Sequence, residues 1–293
     1  MRVVEPNKYI QGQPPKKRKL ILFIIIFLLA VVLGFGIWKI FFNKESSVEQ
    51  QKTTSDVIID QTQQETQPEP PPVDNVKDTL ILFEPNEFRD LFDNANLPNT
   101  TKIVTKPSIT GNATADARII SIAENRGYKL RSTPTVSLTQ TIEGFLVQDA
   151  VVEAYAKLKQ EASDQGLTLS IVSGYRSVDY QRTLFMQRLS ATGATVDQVA
   201  SGQADDKVNK VLITSSIPGY SKHHTGYTLD LKCVGTEFEK FKNSACFTWI
   251  SADNYKAAKE AGFIPSYPEG ADSQGPDPEA WEYVYVGTDM LYE

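Results

Sequence analysis

The sequence predicts an α+β domain carried behind one transmembrane helix. Three observations lead there. Leu20 to Trp38 is a run of nineteen residues without a charge, long enough to cross a bilayer core of roughly 30 Å as a helix. A polar stretch rich in Gln, Thr, Glu and Pro follows it. Beyond residue 140, helical and strand-like periodicities are mixed without a strict βαβ rhythm.

The basic cluster "KKRK", Lys16 to Lys19, precedes the apolar run. A basic flank stays in the cytoplasm, so everything after Phe42 is expected outside the cell membrane. A cleaved signal peptide is the alternative, but the run exceeds a usual signal core and no small-x-small site follows it. Residues 1–19 therefore read as a cytoplasmic tail and residues 20–42 as a membrane anchor. Residues 43–78 hold few large apolar side chains and cannot offset their ordering entropy by burial, so they read as a flexible stalk. The whole chain of 293 residues carries a formal charge of −6, and residues 1–42 carry seven Lys or Arg and one Glu, which leaves −12 on residues 43–293. An acidic exterior part argues against nucleic acid as a partner.

Residues 79–140 read as a lead-in to the main domain, with "EPNEFRDLFDNANL" helix-like and the Thr/Asn/Gly stretch after it loop-like. Asn99 and Asn112 begin N-glycosylation sequons, a pattern short enough to arise by chance. Residues 141–293 read as the main domain. Leu146, Ala150, Val151, Ala154 and Leu158 stand at helical spacing in a segment that stops at Gly166. Leu167, Leu169 and Ile171 then alternate as a strand. "VDYQRTLFMQRLSATG" predicts a helix with Tyr180, Leu184, Phe185 and Met186 clustered. "SADNYKAAKEAGF" predicts another, capped by Ser251, and "WEYVYVG" a last strand. Cys233 and Cys246, on the exported side, are expected to form a disulfide worth roughly 3 kcal/mol, with two buried thiols as the alternative.

Both histidines lie in "SKHHTGYTLDL". Tyr227, Leu229 and Leu231 alternate with Thr228 and Asp230, so Asp230 faces away from the leucines. His223 and Asp230 are an odd number apart and would oppose each other on a straight strand, but Gly226 can supply a bend that brings them together. A His and an Asp converging so suit a transition metal; two adjacent histidines on an exposed loop are otherwise commonly solvated.

Five matches in order, "SGYRS", then Gln181, "SKHHTGYTLD", "GFIPSYP" and "EAWEYVYVG", together resemble the zinc D-alanyl-D-alanine carboxypeptidases of the VanY type over roughly residues 146–287. That resemblance implies the hedgehog/DD-peptidase fold, a small antiparallel sheet flanked by helices. It also implies a zinc or other divalent ion and peptidoglycan stem peptides as substrate. The family's metal motif SxHxxGxAxD falls on His223 and Asp230, and its ExWH motif falls on Glu279 to Glu282. By the same matching Glu279 would be the general base and Arg176 would hold substrate oxygen charge, although Arg176 alone could be a surface ion pair. Ser177, Gln181 and Ser221 match positions near the substrate, and His224 is expected to point elsewhere.

Two departures stand out. Thr228 replaces a small Ala, and Glu282 stands where the family has its third ligand histidine, with no other histidine in the chain to replace it. Three outcomes follow. Glu282 ligates through oxygen, giving one His and two carboxylates and a less acidified water or a harder metal. Or the metal is lost and a catalytically impaired peptide-binding module remains. Or the site has a tuned activity.

Overall fold

A computed structural model describes residues 79–293. The tail, anchor and stalk expected over residues 1–78 lie outside the described residues. Among the described residues no helix is long and apolar enough to cross a membrane.

The alternating stretches of the sequence pair into one four-stranded sheet. Its strands are β5 (Leu169–Ser173), β6 (Thr228–Cys233), β7 (Phe263–Tyr267) and β8 (Glu279–Tyr285), arranged in the order β5-β6-β8-β7 and all antiparallel. Two short ribbons accompany it: β1 (Thr100–Lys102) with β2 (Ser132–Pro134), and β3 (Thr139–Gln140) with β4 (Leu146–Val147). The helices are α1 (Pro85–Asn94), α2 (Ala113–Asn125), α3 (Asp149–Asp164), α4 (Val178–Ala191), α5 (Val196–Ala200), α6 (Asp205–Leu212) and α7 (Ala245–Glu260). The expected mixture of helices with a small antiparallel sheet is present.

Two apolar clusters hold these elements. The first packs Val151, Tyr155 and Leu158 of α3 and Phe88 and Phe92 of α1 against Leu169, Leu229, Leu231, Phe263 and Tyr283 of the sheet. The second joins Ile119 and Ala123 of α2 to Phe185 and Leu189 of α4 and to Val208 and Leu212 of α6. Residues 79–140, expected only as a lead-in, thus supply side chains to both clusters. Asn112, read as a sequon, caps α2: its Oδ1 accepts from the amides of Thr114 (3.0 Å) and Ala115 (3.2 Å).

Several boundaries differ from the sequence reading. Leu146 is not helical; it pairs with Gln140 in a ribbon, and α3 starts three residues later because Gln148 is extended. On α4 the buried positions are Gln181, Phe185 and Leu189, while Tyr180 is exposed. Ser251 caps nothing. Ser244 caps α7, accepting from the Phe247 amide at 3.1 Å, and the helix breaks where Asp253, Asn254 and Tyr255 all have positive φ. The Asn254 side chain accepts from the Phe83 amide (3.0 Å) and donates to the Phe83 carbonyl (2.8 Å), while the buried Lys259 ammonium donates to the Ile81 carbonyl (2.7 Å). These bonds hold the start of the described chain to the break. Cys233, at the end of β6, is disulfide-bonded to Cys246 at the start of α7.

Candidate metal centre

The turn before β6 decides where His223 points. Lys222–Thr225 form a 3-10 turn that Gly226 ends at φ 77°, in the left-handed region. A Cβ at Gly226 would stand 3.1 Å from Leu138 Cδ2 and 3.3 Å from Gln148 Cγ, so both conformation and space favour glycine there. The chain turns and descends into β6 with His223 and Asp230 on one side.

Register places the third candidate. Asp230 is paired with Glu282 across β6 and β8, so their side chains are direct neighbours on the sheet face opposite Leu229 and Leu231. His223 Nε2 lies 3.3 Å from Asp230 Oδ1 and 3.3 Å from Glu282 Oε2. All three residues are buried, and their ligand atoms fall within 4.8 Å of one another. His223 Nδ1 is 2.6 Å from the Gly174 carbonyl, which can only accept, so Nδ1 carries a hydrogen and Nε2 is the ring atom turned toward the two carboxylates. His223 Nε2 and Asp230 Oδ1 have no hydrogen-bond partner. Facing two anions in a buried site, Nε2 calls for a positive charge beside it, supplied either by a proton on the ring or by a metal ion. The donor set of one imidazole and two carboxylates therefore fits a divalent metal such as zinc.

The protonation pattern follows from this crowding. Burial and Arg176 oppose a charge on His223, but Asp230 and Glu282 outweigh them and raise it to about 9. Burial pushes the Glu282 carboxyl up, yet His223, the Ser266 hydroxyl and Lys222 together hold it below the usual range. Glu279 goes the other way: burial first, then the charges of Glu282 and Asp230, push it well above the usual carboxylate range. Two neighbouring carboxyls are thus driven apart, one ionised and one inclined to hold a proton.

Irregular strand pairing serves both ends of the site. Ile171 pairs with Leu231 but Ser173 with Asp230, so β5 carries one extra residue, and its exit swings "SGYRS" against Asp230. Arg176 forms an ion pair with Asp230 Oδ2, and its Nε donates to Ser173 Oγ at 2.9 Å. On the far side Pro265 pairs with Tyr283 but Tyr267 with Glu279, so β8 bulges opposite Ser266 and brings Glu279, three residues from Glu282, to the same place.

Of the other residues singled out in the sequence, Ser177 caps α4, its Oγ accepting from the Tyr180 amide at 3.1 Å. Gln181 is buried, donates to the Ser216 carbonyl at 2.7 Å, and leaves Oε1 without a partner. Ser221 is buried at the start of the 3-10 turn.

His224 is not on an exposed loop: it is fully buried, its Nε2 accepts from the Gly219 amide at 3.0 Å, and its Nδ1 donates to the Arg176 carbonyl at 2.7 Å. Burial keeps it neutral, lowered to about 4. It points away from the metal position, as expected, but it holds the backbone of Arg176. Ser266 and Lys222, which touch or flank Glu282, carried no signal in the sequence beyond lying within two of the ordered stretches.

A mixed α+β domain with a buried His/Asp/Glu site and a perturbed glutamate beside it has the anatomy of a metallopeptidase. Residues 144–288 match the model of the VanY family, described as D-alanyl-D-alanine carboxypeptidase, and over that segment the chain is a VanY-type domain. The putative carboxypeptidase YodJ of Bacillus subtilis (strain 168) is 28% identical over 155 residues, covering 52% of this chain and 50% of that protein. The chain thus spans about half the length of that relative. Among solved structures, a vancomycin-resistance D,D-pentapeptidase VanY in complex with Zn(II) is 22% identical, with 55% of this chain and 82% of that chain covered and a TM-score of 0.40. The LdcB LD-carboxypeptidase is 24% identical, with 54% and 71% covered and a TM-score of 0.43.

Proposed function

We propose that the chain is a membrane-anchored, extracytoplasmic zinc carboxypeptidase that trims a C-terminal D-alanine from peptidoglycan stem peptides. The observation that carries this reading is the convergence of His223 Nε2, Asp230 Oδ1 and Glu282 Oε2, two of them buried without a partner, beside Glu279. These three atoms would hold the metal. When bound, the metal supplies Lewis-acid polarisation of the scissile carbonyl and of the attacking water.

Glu279 acts as the proton carrier: with a divalent cation offsetting the charges of Asp230 and Glu282, its carboxylate would be free to take a proton from the water and pass it to the leaving amine. Arg176 already uses Nε and Nη2 on Ser173 and Asp230, which fixes its plane and leaves Nη1 free to hold a substrate oxygen. Gln181, with an unpartnered Oε1, and the hydroxyls of Ser177 and Ser221 are the groups we assign to the peptide. The anchor rests on Leu20 to Trp38 and its basic flank, and recovery of the full chain in the soluble fraction of lysed cells without detergent would count against it.

The test is incubation of the zinc-loaded chain with defined penta- and tetrapeptide stems. Loss of one D-alanine mass is expected, disappearing in Glu279→Ala; the length of the stem that is cut separates D,D- from L,D-cleavage. A second reading, a stem-peptide-binding module without activity, is favoured by Glu282 in place of a ligand histidine. Binding of both stems with no D-alanine released would select it.

A further inference from the structure

The two carboxylates at the centre each turn one oxygen toward His223 and are held differently on the other. Asp230 turns Oδ1 inward and gives Oδ2 to the Arg176 guanidinium. Glu282 turns Oε2 inward, and its Oε1 accepts from the Ser266 hydroxyl at 2.6 Å. No guanidinium or ammonium among the described residues is in direct ion-pair contact with Glu282. The cation is one residue further back. Lys222, 2% exposed, donates from Nζ to the carbonyl of the same Ser266 at 2.6 Å.

That ammonium has no carboxylate within ion-pair distance among the described residues; it lies 4.1 Å from the centre of the Tyr267 ring and 5.2 Å from that of Phe92. A buried ammonium held only by a carbonyl and two ring faces is costly unless a charge nearby offsets it. Burial, and after it Arg131, lower this ammonium to about 7, and Glu282 is the first of the carboxylates that oppose the shift, ahead of Asp93 and Glu279. One wall of the cage, Phe92, comes from α1, so the region before the family match reaches the site through this lysine.

We propose that Ser266 and Lys222 are positioning residues for Glu282: the Ser266 hydroxyl fixes the carboxylate with Oε2 toward the metal, and the caged Lys222 ammonium offsets the second negative charge among the ligands. The proposal rests on the metal-centre reading above. It explains how a carboxylate occupies a buried position that a neutral imidazole fills elsewhere in the family. It also implies that Glu282→His alone removes the carboxylate that most favours the Lys222 charge and leaves only Asp93 and Glu279 to offset it.

The test uses the full chain, with Zn2+ alone titrated against a chromophoric chelator and Co2+ absorption as a second readout. Ser266→Ala keeps the carbonyl that Lys222 uses and removes only the hydroxyl. It should weaken Zn2+ binding by about 10–100-fold and shift the Co2+ spectrum, with Ser266→Thr restoring both. Lys222→Met should weaken Zn2+ binding by a similar factor in the native background but leave it equal or tighter in the Glu282→His background. A merely structural loss would appear equally in both backgrounds, and that result, or an unchanged affinity and spectrum in Ser266→Ala, overturns the proposal. If Glu282→Gln binds Zn2+ as well as the native chain, or the native chain binds none, the metal-centre reading itself falls and this one with it.

Discussion

At His223 the metal-free chain has two poor choices: a bare lone pair against two carboxylates, or a buried imidazolium. The second prevails, with the group raised to about 9 from the ordinary 6.5. In the metal-free protein this charge adds stability that is fully present below about pH 6.5 and is lost as pH rises through about 9. Zinc requires the neutral ring, so binding at pH 7.5 should expel about one proton, and apparent affinity should climb with pH up to about 9. Calorimetric titration with Zn2+ in buffers of different ionisation enthalpy measures this; a heat independent of buffer contradicts it.

That His223, Asp230 and Glu282 come together was legible because they fall on motif positions. The support around them was not. His224 and Lys222 gain their meaning from Gly219, Arg176, Ser266 and Phe92, contacts made by chain 5 to 130 residues away that no spacing encodes.

Among the elements, Gly226 was readable as the bend before β6, since only a left-handed residue lets an odd spacing share one side. The bulges in β5 and β8 were not, because they depend on what each strand pairs with. The loop after β7 illustrates a hidden dependence. Gly275 donates to the Arg126 carbonyl at 2.8 Å, Asp277 donates to the Ile213 carbonyl at 2.9 Å, and the loop then enters β8 at Glu279. Gly127 lies beneath it at φ 98°, and a Cβ there would stand 1.7 Å from the Ser273 carbonyl oxygen. Gly127→Ala must displace the loop. Its expected result is a fall in kcat of up to about 100-fold through misplacement of Glu279, with Zn2+ affinity unchanged, since none of the three ligand residues lies on the loop. Equal losses of zinc and activity would show general unfolding instead.

For the molecule as a whole, the sequence located the motif-bearing half and left residues 79–140 open, because they match no motif and the helix Ala113–Asn125 falls in the stretch read as loop-like. Packing resolves them. Phe88 and Phe92 complete the cluster under the sheet, and Ile119, Ala123 and Tyr128 complete the one beside α4. A chain that begins at residue 141 would expose both clusters, so it should aggregate or unfold without a cooperative thermal transition, whereas residues 79–293 should melt cooperatively. A soluble, cooperative product from residue 141 would contradict this packing account.

Glu282 either acts as a ligand or marks a lost site. Zinc content of the purified full chain, after reconstitution and removal of excess ion, tests it most directly. If Glu282 is a ligand, about one zinc per chain is expected, retained in Glu279→Ala and lost or much weakened in Glu282→Gln. A native chain without zinc, or full retention in Glu282→Gln, would contradict it.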